Sequence, residues 1–255
     1  MKNEIQPFFE PGAFRRRGTA VARTGFEKYP DLERVLYEIG PLPPEALFLG
    51  MANDGLPVLL NMHDSVPGPL LVIGDETSGK TNLLKSIAKG IPLIHSSDNT
   101  QYAVITNNVD EWDNVPDSEN MAAILDIHDT ASNDLILSLA SWAHANRNSG
   151  QSIIFILDDL TNVGYMDRET RQNLKWLLLR GPSRRVWTIA SSQTDIVNTL
   201  PDILDTFKTR IYGNIASTRL QEKLNVKSAN LQNLNPGTEF KLREGAGWLK
   251  FWVPS

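Results

Sequence analysis

Residues 70–84 read LLVIGDETSGKTNLL, and this stretch constrains the fold more than any other part of the sequence. A short apolar run typical of a buried strand is followed by a loop bounded by glycines and then by residues that favour a helix. The loop, GDETSGKT at 74–81, matches the pattern G-x-x-x-x-G-K-[ST]. In that pattern, backbone N–H groups surround a phosphate chain and the helix N-terminus adds partial positive charge. The sequence therefore predicts a phosphate-binding loop between a strand and a helix.

The lysine and the hydroxyl at the end of this loop predict the ligand. Lys80 is expected to reach the β- and γ-phosphates of a nucleotide, and Thr81 to place its hydroxyl on Mg²⁺. ATP and Mg²⁺ are therefore the predicted cofactors. The predicted nucleotide-binding residues are Gly74, Asp75, Glu76, Thr77, Ser78, Gly79, Lys80, Thr81 and Asn82.

From residue 70 onward, apolar runs alternate with helical patterns, which favours an α/β fold with a mostly parallel central sheet covered on both faces. Strands are predicted at 70–73, 102–106, 152–157, 186–190 and 209–212. Helices are predicted at 80–88, 121–147, 167–180, 195–206 and 217–224, with a further short helix at 30–39. Two β-hairpins are predicted, one around Asn53-Asp54-Gly55 before the phosphate loop and one turning near residues 245–247 at the C-terminus.

A second motif, SIIFILDDL at 152–160, is a buried strand that ends in two carboxylates. The carboxyl ends of parallel strands meet at the edge where open α/β sheets bind ligands. Asp158 is predicted to hold Mg²⁺ through its water shell, and Asp159 to act as the base that orients the attacking water. Read alone, the pair could simply begin a loop.

A third motif, VWTIASSQTD at 186–195, is another buried strand with a polar end. Its carboxyl end should face the same crevice as the other two. Gln193 is therefore predicted to contact the γ-phosphate or the attacking water and to report hydrolysis to the following helix.

The three motifs in this order, with the strand YAVIT between the phosphate loop and the acidic strand, resemble the additional-strand P-loop ATPases. Within that class the chain resembles the FtsK/HerA superfamily of hexameric DNA motors. The similarity is carried by GPLLVIGDETSGKTNLLKSIA, FILDDL and RRVWTIASSQTDIVNTLPDILDTFKTRIYGNI, and it spans residues 47–254. It implies a three-layer RecA-like domain.

The resemblance also implies roles and departures. The family usually has Asp-Glu at the acidic strand, whereas the second acid here is Asp159, whose shorter side chain is expected to slow hydrolysis. An arginine finger that reaches a neighbouring subunit's site is expected shortly before the sensor strand. Arg184 is the first candidate and Arg180 the second. A winged-helix DNA-reading module was not found at the C-terminus.

The function that follows is an ATP-hydrolysing hexameric ring motor, with double-stranded DNA as the expected polymer and DNA-dependent ATPase activity. Two alternatives stay open: an ATP-binding scaffold or regulatory subunit for an effector protein, and a protein-translocating motor of the secretion type. The scaffold is favoured by Asp159 and by the net charge of −5, which argues against an extensively basic nucleic-acid surface.

The 255 residues are predicted to divide into an oligomerisation or partner-binding arm at 1–45 and an ATPase domain at 46–255. The arm carries the basic cluster Arg15, Arg16 and Arg17, for which DNA binding, docking to another subunit or protein, and the absence of a specific role all stay open. The acidic segment 106–120, TNNVDEWDNVPDSEN, is expected to face solvent or a basic partner. A cytoplasmic location is expected, since neither a membrane-spanning apolar run nor a signal-type N-terminus is recognisable.

Overall fold

One sheet contains all ten strands of the part of the chain that the structure, a computed structural model, describes, residues 30–146 and 150–255. The strands are β1 Ala46–Ala52, β2 Pro57–Asn61, β3 Leu70–Ile73, β4 Thr100–Thr106, β5 Met121–Asp126, β6 Ser152–Asp158, β7 Val186–Ser192, β8 Thr209–Tyr212, β9 Glu239–Glu244 and β10 Gly247–Trp252. The helices are α1 Leu32–Ile39, α2 Lys80–Ile94, α3 Thr130–Ala145, α4 Arg168–Arg180, α5 Ile196–Thr199, α6 Pro201–Leu204 and α7 Thr218–Lys223. Their order across the sheet is β2-β1-β10-β9-β8-β3-β7-β6-β4-β5.

The six strands from β8 to β5 are parallel, and helices cover both faces of the sheet. On one face α2 packs into a core that includes Leu84, Val104 and Ile156, while α3 and α4 pack on the other face against Phe155 and Leu157. The central strands are buried at every position, as expected for parallel strands between two helical layers. The predicted three-layer α/β fold is confirmed.

Both predicted hairpins are present, and they extend the same sheet. β1 pairs with β2, β9 pairs with β10, and all these pairs are antiparallel. The hairpins join each other through Met51 opposite Trp252, while Ile211 of β8 lies opposite Leu242 of β9. Both hairpins are thereby linked through backbone hydrogen bonds to β8, the neighbour of β3, which leads into the phosphate loop.

The described part of the predicted arm packs on the sheet. Leu32 and Val35 of α1 are buried against Phe48 and Met51, and the backbone N–H of Leu32 donates to the carbonyl of Ser255 at 3.2 Å. The basic cluster at residues 15–17 lies outside the described residues.

Two helix predictions are wrong in part. The first half of the predicted helix 121–147 is strand β5, which lies at the sheet edge beside β4 with Ala123 opposite Ala103. Its sequence MAAILD favours a helix by propensity, but a short apolar run does not by itself distinguish a strand from a helix, and sheet pairing outweighs propensity here. Asp129 then caps α3 by accepting a hydrogen bond from the N–H of Ala131 at 3.0 Å.

The predicted helix 195–206 is instead the two short helices α5 and α6. Pro201 begins the second one, because its ring and its missing N–H cannot continue the first. Among the described residues, no helix is long and apolar enough to cross a bilayer.

Candidate active site

The phosphate loop leaves β3 at Ile73 and enters α2 at Lys80, as the sequence predicts. Its two glycines are required by close contacts. A Cβ on Gly74 would lie 2.3 Å from the hydroxyl of Ser78, and Gly79 has a left-handed backbone with φ of 89°. The Ser78 hydroxyl is buried and has no hydrogen-bond partner within the described chain. The loop therefore has little room for side chains, which suits it to wrap closely around a ligand.

Lys80 lies folded back on the loop. Its ammonium donates to the carbonyl of Gly74 at 3.0 Å and to that of Asp75 at 2.7 Å, and the residue is 8% exposed. Burial lowers the pKa of Lys80, and nearby carboxylates, first Asp159 and then Asp158, oppose that shift. None of the described carboxylates forms an ion pair with this ammonium. A buried cation held only by neutral carbonyls is available to an anionic ligand.

Thr81 and Asp158, the predicted metal ligands, lie in contact although 77 residues separate them in the chain. The Thr81 hydroxyl donates to the two carboxylate oxygens of Asp158 at 3.2 and 3.0 Å. Asp158 is 6% exposed, and burial raises its pKa, while hydrogen bonds from Ser191, Thr81 and Trp112 oppose that rise. A hydroxyl and a carboxylate beside a phosphate loop are the hard oxygen donors that Mg²⁺ prefers. The residues present therefore fit a magnesium–nucleotide complex.

Asp159 has an unusual conformation. Its backbone φ is 76°, and its N–H donates to the hydroxyl of Ser191 at 2.8 Å. Its carboxylate accepts from the N–H of Thr161 at 3.0 Å and from the hydroxyl of Thr161 at 2.5 Å. The side chain predicted to orient water is thus engaged in its own loop in this state.

Gln193 lies next to the phosphate loop, because Ser192 pairs with Ile73 and these two residues are the last of β7 and β3. Its side chain is exposed. The structure therefore brings this residue to the same edge as Lys80 and Asp158.

The two arginine candidates lie at the opposite edge. Arg180 ends α4 and is exposed, and Arg184 lies in the 3-10 turn just before β7. Since β7 has seven residues, this turn is about 20 Å from the phosphate loop at the other end of the strand. Neither arginine can reach the phosphate loop of its own chain, so a finger role for either requires a second subunit.

The remaining loop residues have separate surroundings. The carboxylate of Asp75 accepts from the N–H of Ala216 at 2.8 Å, and no ion pair joins it to Lys80 among the described residues. Glu76, Thr77 and Asn82 are exposed. An acidic side chain in the loop is thereby used to attach the segment that follows β8.

Three parts of the site were missed by the sequence interpretation. Ser191 hydrogen-bonds to both acids, the indole N–H of Trp112 donates to Asp158 at 3.4 Å, and the N–H of Gly237 donates to the carbonyl of Ser78 at 3.0 Å. Trp112 is 1% exposed, so the expectation that segment 106–120 faces solvent is wrong at this residue. The apolar tryptophan within an acidic segment was the only signal for its burial.

No protein-family model matches the chain, and no curated protein matches it. Solved structures, however, have the same fold. ATPases 2 and 3 of Thermomonospora curvata EccC, in complex with a signal sequence peptide, give a TM-score of 0.68 at 15% identity, over 88% of this chain and 42% of that one. The pCW3 conjugation coupling protein TcpA, in monomer form with ATPγS, gives 0.60 at 15% identity, over 83% and 66%.

A third similar structure is B204, the DNA-packaging ATPase of Sulfolobus Turreted Icosahedral Virus. Its TM-score is 0.52 at 13% identity, over 72% of this chain and 97% of that one. The chain spans less than half of the EccC chain that it matches. These neighbours are FtsK/HerA-type ATPases, and the similarity shows that the chain has their RecA-like P-loop fold. The fold implied by the sequence resemblance is confirmed.

Proposed function

We propose that the protein is an ATP-hydrolysing motor of FtsK/HerA type that assembles into a hexameric ring and moves double-stranded DNA. The observation that carries the proposal is the convergence of Lys80, Thr81 and Asp158 at the carboxyl edge of the sheet. Lys80 and Thr81 begin α2 and Asp158 ends β6, and together they provide a cation and oxygen ligands within one small volume. Such a set is what a triphosphate with its magnesium requires.

Each residue has a role that follows from its position. Bound Mg²⁺ and ATP supply charge neutralisation and the phosphoryl group that is hydrolysed. Lys80 exchanges its two carbonyl partners for phosphate oxygens, and the loop N–H groups orient the phosphate chain. Thr81 and Asp158 hold the metal, and Gln193 contacts the terminal phosphate. Asp159 orients the attacking water once its carboxylate leaves Thr161.

The direct test is steady-state phosphate release by the wild type, Lys80→Ala and Lys89→Ala. Both lysines lie on α2, but of the two ammonium groups only that of Lys80 has hydrogen-bond partners among the described residues, the two loop carbonyls. Lys80→Ala is expected to abolish ATP hydrolysis, and Lys89→Ala to retain it. Equal activity of the two variants would overturn the assignment of the site.

The ring is proposed because both arginine candidates lie far from their own phosphate loop and the chain's fold is that of ring-motor ATPases. Sedimentation velocity with and without ATP and Mg²⁺ measures assembly. A hexamer that requires nucleotide supports the ring, whereas a nucleotide-bound monomer at all concentrations contradicts it.

The identity of the translocated polymer is the most specific part of the proposal. B204 is a DNA-packaging ATPase and TcpA a conjugation coupling protein, which favours DNA, while EccC was solved with a signal sequence peptide. ATPase assays with duplex DNA and with an unfolded polypeptide, each at low and moderate salt, distinguish the two. Stimulation by DNA that falls steeply with salt supports phosphate contacts. Stimulation by the polypeptide alone would assign the protein to the protein-translocating motors.

One observation favours a second candidate, an ATP-binding scaffold for an effector that hydrolyses slowly. The carboxylate of Asp159 is held by both polar groups of Thr161, and it is one methylene shorter than glutamate. The variant Asp159→Asn distinguishes the candidates. A motor loses its turnover in Asp159→Asn. A scaffold retains nucleotide-dependent assembly in Asp159→Asn with its low basal turnover unchanged.

A further inference from the structure

We infer that Ser191 is a positioning residue that holds Asp158 and Asp159 in place together and joins them to β7, the strand that Gln193 directly follows. The inference rests on the proposed nucleotide site and adds to it a residue of the third motif to which the sequence interpretation gave no role.

The hydrogen-bond directions at Ser191 follow from chemistry alone. The hydroxyl lies 2.7 Å from a carboxylate oxygen of Asp158 and 2.8 Å from the backbone nitrogen of Asp159. The backbone N–H can only donate, so the hydroxyl oxygen accepts from it. The ionised carboxylate can only accept, so the single hydroxyl hydrogen points to Asp158. Both capacities of one serine are therefore used on consecutive residues of another strand.

The strand register explains why this position reaches both acids. β6 and β7 are parallel with Leu157 opposite Ala190, so Asp158 is next to Ser191 across the ladder. Ser191 is 1% exposed, and water cannot readily replace its hydroxyl. Because the Ser191 hydroxyl oxygen accepts from the backbone N–H of Asp159, it also supports the positive φ of Asp159, a conformation that non-glycine residues seldom adopt.

The same hydroxyl connects the acids to the sensor. Gln193 is two residues beyond Ser191 and directly follows the last residue of β7. The chain from the Asp158 carboxylate through the Ser191 hydroxyl to Gln193 is therefore short, since two residues of backbone separate the sensor from the hydrogen bond.

Ser192 provides a matched control. It is the next residue on β7 and is fully buried, but its hydroxyl has no hydrogen-bond partner within the described chain. Ser191→Ala and Ser192→Ala therefore remove the same atom from adjacent buried positions, and only the first removal disconnects the acids.

The experiment measures metal affinity independently of turnover. Mn²⁺ binding is followed by electron paramagnetic resonance on protein saturated with the non-hydrolysable analogue AMPPNP, and ATPase rates are measured across Mg²⁺ concentrations. Loss of a residue that orients a metal ligand typically costs about 10- to 100-fold in metal affinity. Ser191→Ala is expected to weaken Mn²⁺ binding and raise the half-saturating Mg²⁺ concentration by that factor, with Ser192→Ala like the wild type.

The failures are distinguishable. A wild type that neither binds AMPPNP nor hydrolyses ATP overturns the proposed function. An active wild type with Ser191→Ala equal to Ser192→Ala, or with a lower melting temperature but unchanged Mn²⁺ affinity, overturns only the inference. If Ser191→Ala does not fold, Ser191→Thr and Ser191→Val replace it, because the two side chains are nearly isosteric and only threonine keeps the hydroxyl. Equal Mn²⁺ affinity of that pair would likewise overturn the inference.

Discussion

Gly79 lies where the phosphate loop meets the turn before β9, and its replacement by alanine has a magnitude that can be worked out. A Cβ at this position would lie 2.4 Å from the Cα of Gly237, and backbone on both sides leaves neither partner free to move. The left-handed backbone of Gly79 adds roughly 1–2 kcal/mol of strain for an alanine. Overpacking typically costs about 1–3 kcal/mol more. The free energy of unfolding should therefore fall by about 2–5 kcal/mol.

Gly55 and Gly237 provide the controls, because each has a positive φ and open space around its Cβ position. Alanine at either site pays only the backbone strain of roughly 1–2 kcal/mol. At about 2–4 °C per kcal/mol, Gly79→Ala should melt about 4–20 °C below the wild type and each control about 2–8 °C below it. Calorimetry measures the melting temperatures, and a fluorescent ATP analogue should bind Gly55→Ala but not Gly79→Ala. Equal melting temperatures for the three variants would refute the close approach of the turn to the loop.

Three further predictions concern other parts of the chain. Trp112→Phe removes the long hydrogen bond to Asp158 but keeps a buried ring. The half-saturating Mg²⁺ concentration for ATP hydrolysis should rise about fivefold, which is equivalent to about 1 kcal/mol, and an unchanged value would contradict the contact. Burial lowers the pKa of His95 below its ordinary 6.5, so as pH drops below 6.5 the unfolded chain binds a proton at this residue before the folded protein does. The melting temperature should therefore fall below pH 6.5, and it should fall less in His95→Gln. An identical pH dependence of the melting temperature in the two proteins would refute this. If Arg184 acts on a neighbour's site, Arg184→Ala and Lys80→Ala should each be inactive alone. Mixed rings should regain phosphate release, because a Lys80→Ala subunit still supplies Arg184 to a neighbour that retains Lys80. Mixtures that stay inactive would argue against a shared site.

The elements that the sequence predicted well are those with a strong local signal. The motif at 74–81 combines glycines, a lysine and a hydroxyl in a fixed spacing, and that spacing also predicts the strand before it and the helix after it. The edge strand β5 was misread because its alanines and leucine suit a helix equally well. Its identity depends on pairing with β4, a partner that local sequence does not specify.

The candidate site likewise contains some residues that local motifs predict and others that only the fold brings together. Lys80 and Asp158 could be named from motifs, whereas the hydrogen bonds of Ser191 and Trp112 to Asp158 depend on strands and turns far apart in the chain. The hydrogen bond between the Asp159 carboxylate and Thr161 also accompanies a positive backbone φ at Asp159, which no residue pattern in the sequence predicts.

By itself, the sequence determined which chemical groups the candidate site contains: a cation, a hydroxyl and a carboxylate at the ends of predictable elements. Only the tertiary structure decided which side chains hold those groups and which arginines are excluded from the chain's own site. The physical reason is that periodicity and motif spacing are local, while sheet order and register set distances between residues that the chain separates by dozens of positions.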